Sequence, residues 1–145
     1  AFGWAVPMAF AAQTGSTPEL AWLVFGAALI WAVIYDTFYA MVDREDDMKL
    51  GVKSTAILFG EADLFVIAGL QALMVAALAL VGYRAELGFW YYASVMVAAA
   101  LMAWHLWLAR DREPAGCFRA FLQNHYIGMI VFIGIVLHYT FNPAG

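Results

Sequence analysis

Asp36, Asp43, Asp46 and Asp47 stand in the stretch WAVIYDTFYAMVDREDDMKLGVKSTAILFG, between Trp31 and Gly60, with Lys49 and Lys53 close behind. The stretch begins inside an apolar run and ends in charge. A carboxylate in or beside hydrocarbon is costly, and its presence marks a functional site by default. Asp36, Asp43 and Asp47 are spaced i, i+7 and i+11. On one continuous helix that spacing places all three within about 40° of a single face. Glu45 then points the opposite way and Asp46 lies to one side. If the helix ends early, Asp43-x-x-x-Asp47 still sets two carboxylates around one turn, with Asp36 ~10 Å deeper along the axis.

Three carboxylates crowded into a low dielectric stay ionised together only beside a cation. Hard oxygen donors of this kind select Mg²⁺, which takes one or two carboxylates and shares its other positions with water and phosphate. Asp43 and Asp47 are the candidate metal ligands and Asp36 the third acid of the site. Lys49 and Lys53 are candidates to meet the same phosphates as point charges. Arg44, Glu45 and Asp46 read as a solvated loop. Gly51-Val52-Lys53-Ser54-Thr55 ends like a phosphate-binding P-loop, but that motif needs Gly where Val52 and Asp47 stand, so no nucleotide site is supported.

The elements that must position these residues follow from composition. The chain has 145 residues, 66% of them hydrophobic and only 12% charged, with mean hydropathy +0.79. A soluble domain is roughly a quarter charged, so most of this surface faces lipid. Apolar runs reach the ~20 residues that cross a bilayer. Spans are expected at about Leu20–Val42, Glu61–Val81, Gly88–Ala109 and Ala120–Phe141, with a partial span over the first twelve residues interrupted at Pro7. The runs are continuous, not alternating, which excludes a β-barrel. The fold class is therefore all-α, a multi-spanning transmembrane helical bundle of four complete spans and one partial span.

Basic residues set the orientation. Arg44, Lys49 and Lys53 follow the first complete span and Arg110, Arg112 and Arg119 the third, against Arg84 alone on the other side. The acidic loop and the arginine-rich link are expected in the cytoplasm. Asp63 reads as an acid favoured by a helix N-terminus. Cys117 is single, so no internal disulfide forms, and it reads as an ordinary thiol in a charged link. The opening AFGWAVPMAFAA has neither an initiator Met nor a basic n-region. It reads as the back of a span whose front is missing, and residues 1–145 as the C-terminal portion of one membrane domain.

Tyr35-Asp36-Thr37-Phe38-Tyr39-Ala40-Met41-Val42-Asp43-Arg44-Glu45-Asp46-Asp47, followed by Lys49-Leu50-Gly51-Val52-Lys53-Ser54-Thr55-Ala56, resembles the second aspartate-rich motif of the UbiA-type intramembrane prenyltransferases. Gly3-Trp4, Pro7 to Ala12 and Asn124-His125-Tyr126-Ile127-Gly128 are also similar to that family, and the likeness covers nearly the whole chain. The resemblance implies a bundle of nine spanning helices around a cavity. It implies two aspartate-rich motifs that hold Mg²⁺ and a polyprenyl diphosphate. The second falls on Asp43 and Asp47, with Asp36 upstream and Lys49 and Lys53 beside the diphosphate. The first, of the form NDxxDxxxD, is absent. The implied activity is transfer of a polyprenyl group to an aromatic acid, 4-hydroxybenzoate of the ubiquinone pathway. Haem, chlorophyll or menaquinone precursors are the alternative acceptors. The chain alone would hold half the catalytic centre. The implied location is a bacterial inner membrane, with the bilayer and the two substrates as partners and no nucleic acid.

Tyr35, Phe38 and Tyr39 are candidates to shelter an allylic cation through their π faces. Asn124 and His125 lie toward the same side as the acidic loop and form a second tier of site residues. Gln71, Ser94, His105 and His138 are expected to make interhelical hydrogen bonds or to sit at the interface. A transporter would instead place its acids near mid-membrane on broken helices.

Overall fold

Each element of the computed structural model, which describes residues 2–51 and 62–142, is helical. A 3₁₀ turn at Phe2–Trp4 leads into α1 (Ala5–Thr14). Pro7 does not interrupt this helix as the sequence reading expected. It occupies the first turn, where an N–H would have no intrahelical partner anyway. Gly15 closes α1 at φ 71°, donating its N–H to the Ala11 carbonyl at 2.8 Å.

Extended Pro18 then starts α2 (Glu19–Val42), with Glu19 in the first turn. Its 24 residues give a rod of ~36 Å, long enough to cross a hydrocarbon core with some tilt. A short α3 (Arg44–Leu50) follows. Next come α4 (Asp63–Arg84), α5 (Phe89–Ala109), α6 (Pro114–Gln123) and α7 (His125–Phe141). Among the described residues, four helical stretches are long and apolar enough to span a membrane: 19–42, 63–84, 89–109 and the α6–α7 pair over 114–141. The protein is an integral membrane helical bundle.

Two boundaries differ from the sequence reading. The last helical stretch begins at Pro114, not near Ala120. Pro114 takes the N1 position, for which its fixed φ suits it, so Cys117 lies buried in a helix rather than in a link. That stretch is also broken at Asn124, between α6 and α7.

α2 packs on α4 and α6, while α5 packs on α4, α6 and α7. Ile34, Phe38, Ile67, Tyr91, Met102 and Ile127 form the buried centre. With lipid outside, helices associate through close packing, and small residues let backbones approach. At Gly134 an added Cβ would collide with Ser94 Oγ, which locks α7 against α5. Two buried hydroxyls bond within their own helices: Thr37 Oγ1 donates to the Val33 carbonyl at 2.6 Å and Ser94 Oγ to that of Tyr91 at 2.6 Å. His138 does make an interhelical bond, its Nδ1 accepting the Gly88 N–H at 2.9 Å. Gln71 Nε2 and both ring nitrogens of His105 have no partner among the described residues, so the expected interhelical bonds are not seen at those atoms.

The packing leaves the bundle with two polar ends. At one, Glu19 of α2 meets Arg84 of α4. At the other, the C-terminus of α2, the N-terminus of α4 and the link after α5 converge.

Candidate functional site

The converging end is built around a helix break. α2 stops at Val42; Asp43 leaves helical geometry at φ −94° and ψ 8° while still donating to the Tyr39 carbonyl at 3.3 Å. α3 starts at the next residue and is closed by Gly51 at φ 71°. The break cancels the continuous-helix face, so the shared direction of Asp36, Asp43 and Asp47 does not carry across Asp43. What persists is the shorter-range arrangement, in which Asp43 and Asp47 are one turn apart in sequence on either side of the start of α3. The Asp47 side chain lies outside the described residues, as does Lys53.

Half-buried Asp43 opens on a cavity of ≈ 610 Å³. Asp46, Arg44, Asp63 and Arg112 also line it, and Met41 and Met48 supply apolar wall. Asp46 thus reaches the cavity rather than only the solvated loop, although its side chain remains exposed and pairs with Lys49 at 3.6 Å. Lys49 is exposed in the last turn of α3 and does not line the cavity.

Sequence reasoning missed the centre of this end. Asp63, fully buried at the first position of α4, receives two guanidinium groups. Arg112 Nε donates to its Oδ1 at 3.0 Å, and Arg44 Nη1 lies 3.5 Å from Oδ2. The Leu64 N–H adds a bond to Oδ1 at 2.7 Å. A carboxylate taken out of water costs several kcal/mol unless paired and hydrogen-bonded, and here α2–α3, α4 and the α5–α6 link all contribute to compensating one acid. Two cations on one anion leave a surplus positive charge facing Asp43 and Asp46. Arg112 also holds φ 53°, a left-handed conformation uncommon outside glycine. The signal was available: the orientation rule put both basic segments on the side from which α4 starts. Helical periodicity reports only one helix face at a time, so it did not pair them.

A second cavity of ≈ 320 Å³ lies between α2 and the α6–α7 break, lined by Trp31, Tyr35, Phe121, Leu122, Asn124 and His125. Tyr35 and Tyr39 flank Phe121 at centroid distances of 6.1 and 5.1 Å. Asn124 is buried, and neither polar atom of its amide has a partner among the described residues. His125 is exposed, its Nδ1 2.5 Å from the Leu122 carbonyl. Phe38 is turned away from this wall into the core, edge-on to His105. Asp36 is exposed on α2 and lines neither cavity. Among the described residues no three His, Cys, Asp or Glu side chains converge as a ready metal cluster.

The model of the UbiA prenyltransferase family matches residues 1–137. The chain belongs to the UbiA prenyltransferase family. It is 57% identical over 140 residues to a 4-hydroxybenzoate octaprenyltransferase of Ectopseudomonas mendocina, covering 97% of this chain and 47% of that protein. Over 139 residues it is 58% identical to the enzyme of the same name from Nitrosococcus oceani, covering 96% and 49%. The chain thus spans about half the length of the curated relatives it matches. Among solved structures, one of a digeranylgeranylglyceryl phosphate synthase superposes with a TM-score of 0.70 at 21% identity, over 82% of this chain and 43% of that one. At that identity the likeness shows the fold alone: the helices described here are arranged as in that protein.

Proposed function

We propose that this chain supplies one half of an Mg²⁺-dependent aromatic prenyltransferase, moving a polyprenyl group from its diphosphate to 4-hydroxybenzoate in ubiquinone formation. One observation carries the reading: carboxylates and arginines face a single cavity where an apolar bundle meets its polar end. A membrane-embedded diphosphate needs that combination, a cation held by acids and direct positive charge for its oxygens.

The residues suit Mg²⁺. Asp43 and Asp46 present hard oxygen donors to a space large enough for water and phosphate, and Mg²⁺ seldom takes more than one or two carboxylates from a protein. In this reading Asp43 and Asp47 hold the ion and Asp36 lies toward the other half of the site. Lys49 and Lys53 steer the diphosphate. Bound Mg²⁺ would supply the positive charge that lets diphosphate depart. The side chains do the rest. Arginine and lysine donors hold the leaving group as its C–O bond breaks. Tyr35 and Tyr39 offer π faces to the allylic cation. The ring carbon ortho to the acceptor hydroxyl attacks that cation and then loses its proton. The isoprenoid tail lies among the apolar helices, and the acidic end faces the cytoplasm at a bacterial inner membrane.

The test is an assay of the complete gene product in membranes with 4-hydroxybenzoate, octaprenyl diphosphate and Mg²⁺. Prenylated 4-hydroxybenzoate is expected, and none after chelation. Transfer only to a haem, chlorophyll or menaquinone precursor would replace the acceptor. Full activity in both Asp43→Ala and Asp47→Ala would remove the site.

A further inference from the structure

We infer that Asp63 is a positioning residue for the diphosphate site, acting through Arg44 and Arg112 without touching substrate. This rests on the prenyltransferase reading. Asp63 is fully buried, whereas the Arg44 and Arg112 side chains are 27% and 38% exposed on the cavity they line. Asp63 belongs to the same cavity wall but has no accessible surface there, so it reaches a ligand only through these guanidinium groups. Its Oδ1 and Oδ2 each take a different guanidinium, from segments far apart in sequence.

Arg44 directly follows Asp43, so anchoring its side chain fixes the angle at which α3 leaves α2. That angle sets where the Asp43 carboxylate and the first turn of α3 face. Arg112 is the left-handed residue of the α5–α6 link, and a strained conformation persists only when its surroundings hold it. One carboxylate thereby couples the acidic break to the arginine link across the cavity mouth. The Leu64 N–H holds that carboxylate in turn.

A plain structural staple would alter stability alone; a positioning residue also alters how tightly the reacting group is held. In the complete gene product, Asp63→Asn keeps the shape and the acceptor toward Leu64 but removes the charge. The KM for octaprenyl diphosphate and the Mg²⁺ concentration for half-maximal rate are expected to rise ~10- to 100-fold. Asp63→Glu is expected to return both to within about tenfold of wild type. Hydrogen exchange in detergent is expected to quicken in Asp43–Leu50 and in 110–113 together, and not in α7. Arg44→Gln, which leaves Asp63 in place but breaks its pair with α3, should reproduce the faster exchange of Asp43–Leu50, and that exchange decides the matter if Asp63→Asn fails to accumulate. Unchanged KM and Mg²⁺ dependence in Asp63→Asn would overturn the inference, as would faster exchange spread evenly over the bundle. A wild-type protein that folds but transfers no prenyl group would overturn the prenyltransferase reading; the exchange measurement still decides whether Asp63 couples the two loops.

Discussion

The two ends of the α2–α4 pair are pinned by charge in opposite ways. At one end Glu19 and Arg84 form a two-pronged pair at 3.2 and 3.4 Å, with side chains 71% and 49% exposed. At the other, Asp63 has no exposure at all and takes two arginines. The first arrangement costs little to form and contributes little, because water and salt screen it. The second commits a charge to the interior and needs several segments to compensate it. An end that only had to hold two helices together could use the exposed form. The buried form stands where acids, arginines and a cavity meet, and the difference separates a fastening from a site.

Loss of an acid at the helix break should give the largest effect. Asp43→Ala or Asp47→Ala is expected to lower turnover of the complete gene product by on the order of 10²–10³-fold, measured as prenylated product at saturating substrates, with no change in thermal midpoint. Next in size is Asp63→Ala, which leaves two guanidinium groups facing one another without their anion. It is expected to cost about 3–5 kcal/mol, read as a fall in detergent thermal midpoint. A loss equal to that of Glu19→Ala would erase the contrast between the ends.

Sequence carried the spans well because hydropathy is a local property: the boundaries of α2, α4 and α5 fall within a few residues of the apolar runs. Pro7 was read as a breaker since its place in the first turn depends on where α1 begins, which composition does not mark. The start of α6 at Pro114 was legible, for proline favours N1, yet surrounding charge made the segment read as a link. The break at Asn124 has no glycine or proline at it, and only the packing of α6 on α2 and of α7 on α5 explains two directions there. Asp43 was legible as chemistry, whereas Asp46, which also lines the cavity, read as part of a solvated loop. The cavity was not legible, because Asp63 and Arg112, which complete its charged lining, stand 49 positions apart in the chain.

A defect placed at neither end tells local from global damage. Gly134→Leu drives a side chain into Ser94 Oγ and toward the Trp90 carbonyl, prising α7 from α5. The expected cost is about 1–3 kcal/mol, as for other overpacked sites. The smaller Gly134→Ala should be partly rescued by Ser94→Gly, which removes both Ser94 atoms it strikes, Oγ and Cβ. Detergent thermal midpoints of the single and double variants check this. If Gly134→Leu raises the KM for diphosphate as much as Asp63→Asn does, the loops respond to any loosening and the acidic end has no special coupling.

The smallest effect belongs to the exposed pair. Glu19→Gln and Arg84→Gln are each expected to change stability by less than about 1 kcal/mol. Their coupling in a double-mutant cycle should shrink further from low to high salt, because screening acts on charges in water and spares those shielded by protein. The same cycle on Asp63 and Arg112 should yield a larger coupling that survives high salt, since Asp63 has no contact with solvent. Salt dependence thus reads burial directly, without reference to activity. A Glu19–Arg84 coupling as large and as salt-resistant as that of Asp63 would mean that this end too is covered in the native membrane, and that both ends are built to hold more than helices.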